Sequence, residues 1–184
     1  AQGKVHFLRL PGLIGPTFEA GEEVAGPLFV DHDRLYISLK DGSFHCLGLG
    51  SQKRLWTVKT GGYLMSLPAA DEHRILFVTS NNVLFCLNKK SGNLDWWQVI
   101  SSRAAFSPAI GDGQVFVAPR SPILIALKKT GEPAGKYDAG GTLSSAPHLF
   151  GDILLINTYN PETAKGVLIF LKGAAPPEDR SKKK

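Results

Sequence analysis

The sequence predicts an all-β protein, a β-propeller, on three observations: a repeat of about 40 residues, four short β-prone runs in each repeat, and turn-forming residues between the runs. Four prolines mark the period, since Pro27, Pro68, Pro108 and Pro147 recur at intervals of 41, 40 and 39 residues. We therefore expect four-stranded antiparallel blades of about 40 residues. This chain would hold about four of them, as half of an eight-bladed ring or as a small closed ring.

The first three strands of each blade follow from the pattern after each proline. A short first strand is followed by a run of β-branched and aromatic residues, which is typical of a second strand. The four copies of that run are residues 35–37, 75–78, 115–117 and 153–156. Turns that tolerate positive φ, Asp41-Gly42 and Asn81-Asn82, lead into the third strand. The third strands end in similar residue pairs: Cys46-Leu47, Cys86-Leu87, Ala126-Leu127 and Phe170-Leu171.

The fourth strand of each blade is predicted to carry an aromatic residue. Trp56, Trp96 and Tyr137 recur at this place, and turns at Gly92 and Gly131 precede the last two. A tryptophan here would lie between neighbouring blades, with its indole N–H bonded to backbone. Because one blade cannot bury both faces of its sheet, the blades are expected to stack and form apolar layers between them.

One copy of the repeat is specific enough to identify a family. The segment from Cys86 to Trp96, with Leu87, Ser91-Gly92 and then Trp96, resembles the repeat of pyrroloquinoline-quinone-type (quinoprotein-like) propellers. The copy ending at Trp56 departs from that pattern with Gln52 in place of glycine, and the copy ending at Tyr137 lacks the tryptophan. The resemblance covers residues 4–172 and implies the propeller fold more directly than any function.

The resemblance implies two kinds of function. Its family includes quinone-dependent alcohol and sugar dehydrogenases, sensor domains and a non-enzymatic lipoprotein of the outer-membrane β-barrel assembly machinery. Quinone-binding members use a vicinal cysteine pair, a tryptophan floor, and Glu, Asn and Asp ligands to calcium. Cys46 and Cys86 are instead forty residues apart, at equivalent places in adjacent blades. This chain therefore resembles the non-enzymatic members more closely, and we expect no cofactor.

The repeat also predicts the domain boundaries. A partial blade would span residues 4–26, complete blades about 27–66, 67–106 and 107–145, and a last partial blade 146–172, within a propeller domain of residues 1–173. Residues 174–184 form a Pro- and Lys-rich tail that we expect to be disordered. The last blade lacks its fourth strand, which either the N-terminal segment or a second copy of the chain would supply, so closure within one chain and closure between two both stay open.

A search for chemistry finds no catalytic, cofactor-binding or metal-binding residues. The two cysteines are expected to be small buried hydrophobic side chains, too far apart for a disulfide. The histidines have no metal-ligand spacing, and His45 and Cys46 would point to opposite faces of one strand. Trp97 points away from Trp96 and has no counterpart in the other copies, so it is the one residue proposed to bind a partner.

Charge and hydropathy limit the partners. The formal charge of +5 includes Lys182, Lys183 and Lys184, and the other basic residues are scattered, which argues against nucleic-acid binding. No apolar run approaches the roughly 20 residues of a membrane span, so membrane contact would be peripheral. We expect a non-catalytic propeller that binds or scaffolds proteins in the periplasm or elsewhere outside the cytoplasm, with no small-molecule substrate. The alternatives are part of a quinone-dependent oxidoreductase or an accessory subunit of a membrane-associated complex.

Overall fold

The computed structural model describes residues 3–9, 11, 13–103 and 106–172. In this part of the chain every regular element is a β-strand, and the strands form five antiparallel sheets. Sheet 1 is the hairpin of β1 (Lys4–Arg9) and β2 (Leu13–Glu19). Sheet 2 contains β3 (Phe29–Asp31), β4 (Arg34–Ser38), β5 (Ser43–Gly48) and β6 (Arg54–Lys59). Sheet 3 contains β7 (Ala69–Ala70), β8 (Arg74–Val78), β9 (Val83–Asn88) and β10 (Leu94–Val99).

The last two sheets continue the series. Sheet 4 contains β11 (Ala109–Ile110), β12 (Gln114–Val117), β13 (Ile123–Lys128) and β14 (Pro133–Asp138). Sheet 5 contains β15 (Thr142–Leu143), β16 (His148–Phe150), β17 (Ile153–Asn160) and β18 (Lys165–Lys172). None of the described residues belongs to a helix long and apolar enough to cross a membrane. The all-β prediction and the four-stranded antiparallel blades are confirmed.

Sheets 2, 3 and 4 are up-and-down meanders, in which each strand pairs with the next one along the chain. Sheet 5 differs because β17 pairs with three strands, with β16 and β15 on one side and β18 on the other. The pairing of Leu143 with Thr158 repeats the isolated bridges Val24 to Leu39 and Leu64 to Thr79 of the earlier sheets. Within the described residues, sheet 5 is therefore a blade with its first three strands and no paired fourth strand.

Four apolar clusters fill the spaces between successive sheets, one in each space. The second strands explain how one sheet serves two clusters. On β8, Ile75 and Phe77 face sheet 2, while Leu76 and Val78 face sheet 4, and all four are buried. Alternate residues of a strand point to opposite faces, so a strand buried on both faces has the continuous apolar run seen in the sequence.

The turns use residues that tolerate a left-handed backbone. Gly42 has a φ of 76° and Asn82 a φ of 60°, as predicted for the turns between second and third strands. Gln52, which replaces the glycine of the family repeat, also has a positive φ, of 55°. The positive φ of this turn is therefore retained although glutamine replaces glycine.

The two ends of the stack remain unpaired in the described part of the chain. The hairpin of sheet 1 pairs only with itself, and β18 pairs only with β17. A ring closed by the N-terminal segment within one chain is therefore not what this structure contains. The proposed tail, residues 174–184, lies outside the described residues.

Candidate partner-binding surface and the cleft between sheets 4 and 5

The same set of contacts, called the clasp below, joins sheet 2 to sheet 3 and sheet 3 to sheet 4. In each clasp a tryptophan and an arginine of one sheet donate hydrogen bonds to a backbone carbonyl of the next sheet. The backbone carbonyl of Lys89, in the turn before β10, accepts hydrogen bonds from Trp56 Nε1 at 3.1 Å and from Arg34 Nη1 at 3.0 Å. The carbonyl of Lys129 accepts the same pair from Trp96, at 2.8 Å, and Arg74, at 2.9 Å. The predicted position of the tryptophans between blades is confirmed. One carbonyl thus binds two donors from the preceding sheet.

An ion pair completes each clasp. The ammonium group of Lys89 lies 2.5 Å from Asp31, at the end of β3, and that of Lys129 lies 3.4 Å from Asp71. Burial alone would raise the pKa of Asp31, but the hydrogen bonds from Lys89 and His32 outweigh it and hold that pKa below its usual value. The carboxylate is therefore ionised, which keeps the pair charged.

Two glycines accommodate the tryptophan rings. A Cβ atom on Gly92 would lie 2.7 Å from Cδ2 of Trp56, and one on Gly131 the same distance from Cδ2 of Trp96. Both glycines also have positive φ, of 77° and 88°. The Ser-Gly and Thr-Gly turns of the repeat are thus explained by the indole that lies against them.

The clasp is missing between sheets 4 and 5. Cys46 pairs with Trp56 and Cys86 with Trp96, but the equivalent Ala126 pairs with Gly135. Likewise β4 and β8 begin with arginine, whereas β12 begins with Gln114. Both side-chain donors have therefore been replaced at this interface.

The prediction that Tyr137 takes the place of the tryptophan is wrong. Tyr137 pairs with Leu124, so it corresponds to Gln98 of sheet 3, which pairs with Leu84. The cause is the turn before the fourth strand, which spans residues 88–93 in sheet 3 and only 128–132 in sheet 4. This turn is one residue shorter, so the equivalent of Trp96 is Gly135 rather than residue 136, and Tyr137 lies two residues beyond it.

An open cleft of about 980 Å³ occupies the place of the missing clasp. Its apolar lining comes from both sheets, with Phe116, Leu124 and Tyr137 on one side and Leu149, Leu154 and Leu171 on the other. Charged and polar groups line it too, among them Asp112, Gln114, Lys136 and Asp152. A Cβ built on Gly135 would meet no atom within 4 Å. The sequence carries no simple signal for this cleft, because it depends on a strand register.

Trp97 lies on the other face of β10 from Trp96 and is 54% exposed. It pairs across the sheet with Phe85, which packs against the cluster between sheets 2 and 3. Val99, two residues further on the same face, is exposed as well. The indole of Trp97 is therefore exposed on a strand whose cross-strand neighbour Phe85 is packed between sheets 2 and 3.

A second apolar surface is the outer face of sheet 5. Leu155 pairs with Phe170 as Tyr36 pairs with Cys46, and in sheet 2 that face carries the next sheet. Phe150 and Phe170 are 78% and 64% exposed, and Leu168 is exposed on the same face. This face has the composition of an inter-sheet layer.

Cys46, Cys86 and His45 are all buried side chains of the third strands. Cys46 and Cys86 are free thiols, both fully buried in different apolar clusters. Burial raises the pKa of Cys86 to about 12 and raises that of Cys46 as well. Both thiols are therefore protonated at neutral pH. His45 is buried on the opposite face from Cys46, and its Nδ1 atom lies 2.6 Å from Thr57 Oγ1.

The described residues do not fit a quinone site. The two thiols lie in separate layers rather than as a vicinal pair, and both clasp tryptophans donate to backbone between sheets. The described ranges also hold no group of three or more His, Cys, Asp or Glu side chains placed to bind a metal ion. We derive no quinone chemistry for this chain.

Stacked four-stranded meanders, joined through tryptophan and glycine, define a β-propeller of the PQQ-repeat type. The model of the family described as outer membrane protein assembly factor BamB matches residues 16–96 and 40–149. The chain belongs to this family.

Two relatives show how much of a family member the chain represents. The outer membrane protein assembly factor BamB of Legionella pneumophila (strain Paris) is 25% identical over 133 residues, which are 71% of this chain and 34% of that protein. The crystal structure of BamB from Moraxella catarrhalis superposes with a TM-score of 0.69 at 16% identity, covering 89% of this chain and 54% of that chain. The chain thus spans about a third and about half of these two relatives, and the structural likeness shows the fold.

Proposed function

We propose that this chain is a non-catalytic propeller module that binds a protein partner and acts as a scaffold outside the cytoplasm, in outer-membrane protein assembly. The observation that carries the proposal is the family match over residues 16–149, since the matched relatives are described as assembly factors. The proposed blade boundaries, 27–66, 67–106 and 107–145, place each clasp between two such units.

The contact surface of the proposal is the exposed face of β10. Trp97 and Val99 project from a strand whose other face is held to sheet 4 through Trp96, so they are presented without a loss of order on binding. Tryptophan is one of the three residue types, with tyrosine and arginine, that are enriched among the residues that dominate binding energy at protein interfaces. Thr57, which pairs with His45 as Trp97 pairs with Phe85, is the matched position on sheet 2.

Site-specific photocrosslinking in the cells that make this protein tests the proposal. A benzophenone amino acid at position 97 is expected to form a discrete crosslink to a component of outer-membrane protein assembly, whereas the same group at position 57 is not. The Trp97→Ala variant should weaken that interaction by roughly tenfold or more, because it removes a central aromatic anchor. Crosslinks of equal yield at both positions, or none to such a component at position 97, would refute it.

A further inference from the structure

The cleft between sheets 4 and 5 occupies the place that an indole fills in the two preceding interfaces. The tryptophan positions are equivalent by strand pairing: Trp56, Trp96 and Gly135 each pair with the last residue before the irregularity in the third strand. The arginine positions are equivalent too, since Gln114 begins β12 as Arg74 begins β8. Two large side chains that fill the two preceding interfaces are therefore absent from the interface between sheets 4 and 5.

The space left by those side chains has not collapsed. Sheets 4 and 5 are held together deeper in the interface, where Ala118, Leu143 and Ile156 are buried. Towards β14 they enclose the cleft of about 980 Å³. Five residues of the apolar cluster line it as well: Phe116, Leu124, Leu149, Leu154 and Leu171. The cleft is thus an open continuation of an established inter-sheet layer.

From this geometry we infer that the cleft is a binding site for a tryptophan side chain presented by an extended segment of a partner protein. The molecule itself shows which group fits, because the equivalent spaces each hold an indole whose N–H is bonded to an acceptor. Asp112 and Gln114 line the cleft and offer oxygen acceptors for such an N–H. The sequence has no aromatic residue from 173 to 184, so that segment cannot supply the ring.

The size of the cleft favours a peptide over a free indole compound. Sites that bury drug-sized ligands enclose roughly 300–1,000 Å³, and this cleft lies near the upper limit. A tryptophan together with the residues that flank it would occupy more of the cleft than an indole ring alone, including the polar part lined by Lys136 and Asp152. The assignment of the ligand to a protein rests on the proposed function, whereas the fit of an indole to the cleft rests on the geometry of the two preceding interfaces.

The test is a titration of the whole chain, followed by NMR of its leucine methyl groups. The probes are a short peptide with one tryptophan between two valines, the same peptide with alanine at that place, and N-acetyl-tryptophanamide. The tryptophan peptide is expected to bind at least tenfold more tightly than the alanine peptide and the amide. Indole protons should give NOEs to the methyl groups of Leu124, Leu154 and Leu171.

The variant Gly135→Trp gives the complementary result. A Cβ fits at Gly135 without contact, and no positive φ opposes a side chain there, so the new indole is expected to fill the cleft and weaken the peptide at least tenfold. Val30→Trp adds an indole at an exposed place on β3, away from the cleft and from β10, and should leave the affinity within about twofold. Equal binding of both peptides, NOEs to other residues, or an unchanged affinity in folded Gly135→Trp would overturn the inference.

Two outcomes separate this site from the proposed function. If the amide binds as tightly as the peptide, the site takes a small indole compound and the protein-partner assignment is overturned. If Gly135→Trp does not fold, the NOE map of the wild-type chain decides alone. Neither experiment involves Trp97, so failure at the cleft leaves the β10 surface untouched, and failure of the crosslink at position 97 leaves the cleft intact.

Discussion

His45 and Cys46 are neighbours in the chain but lie in different apolar layers. Cys46 packs between sheets 2 and 3, while the ring of His45 lies edge-on to Phe18 of sheet 1, with 6.3 Å between ring centroids. Burial, and the nearby charge of Arg54, lower the pKa of His45, against the opposing effect of Asp41. The sequence placed this histidine on a strand, but its burial followed only from the packing of sheet 1.

Acidification is expected to destabilise the fold through His45. The folded-state pKa lies below the unfolded value of about 6.5, so the stabilisation is complete above that pH and is lost as the pH falls towards the folded-state pKa. The loss from this group is at most about 1.4 kcal/mol per pH unit. The His45→Gln variant, which cannot titrate, should show a smaller decline between pH 7 and 5 in urea unfolding. Identical pH slopes for the two proteins would contradict this.

At the scale of strands and sheets, the 40-residue period and the runs of apolar residues predicted most of the strands. The second and third strands lie where their apolar runs and paired residues place them. In the fourth strand of sheet 4 the tryptophan place was assigned to Tyr137, two residues beyond the true equivalent Gly135. A five-residue turn replaces a six-residue one there, and only strand pairing shows the resulting register. Because of this difference, the sequence pattern indicated neither that Gly135 is equivalent to Trp56 and Trp96 nor that a cleft lies beside it.

Trp96 and Trp97 provide a stability comparison between the two faces of one strand. Trp96→Ala removes a ring packed on Gly131 and its bond to Lys129, so we expect a loss of about 3 kcal/mol in the free energy of unfolding. Trp97→Ala, at an exposed position, should change it by no more than about 0.5 kcal/mol. Guanidinium unfolding followed by circular dichroism measures both. Similar losses in the two variants would show that the clasp does not stabilise the stack.

On the scale of the whole molecule, the two ends of the stack differ in chemistry. The outer face of sheet 1 carries polar pairs, with Lys4 paired to Glu19 at 3.0 Å and His6 bonded to Thr17, and Leu8 is the large apolar side chain that β1 exposes. The outer face of sheet 5 exposes Phe150 and Phe170 instead. Exposed contiguous apolar surface of this kind is typical of an interaction face. A second copy of the chain remains a proposed occupant.

The apolar end is expected to make the isolated chain self-associate. Size-exclusion chromatography with light scattering should show a mass that rises with concentration. Stacking of two such blade faces would remove their exposed apolar surface from water, which is favourable. The double variant Phe150→Ser and Phe170→Ser should shift the protein towards monomer. Lys4→Ser with Glu19→Ser, at the sheet 1 end, is the control and should leave the mass unchanged. A wild-type chain that is monomeric at all concentrations would rule out this role.

The sequence by itself determined the blade architecture, the places of Trp56 and Trp96 between blades, the turns at Gly92 and Gly131, and the opposite directions of Trp96 and Trp97. These features depend on local periodicity, which repeats every 40 residues and can be read along the chain. The tertiary structure alone decided the clasp on Lys89 and Lys129, the burial of His45 and the cleft at Gly135. Each of these brings together residues from different sheets, and their alignment depends on turn lengths and strand registers that a linear pattern does not specify.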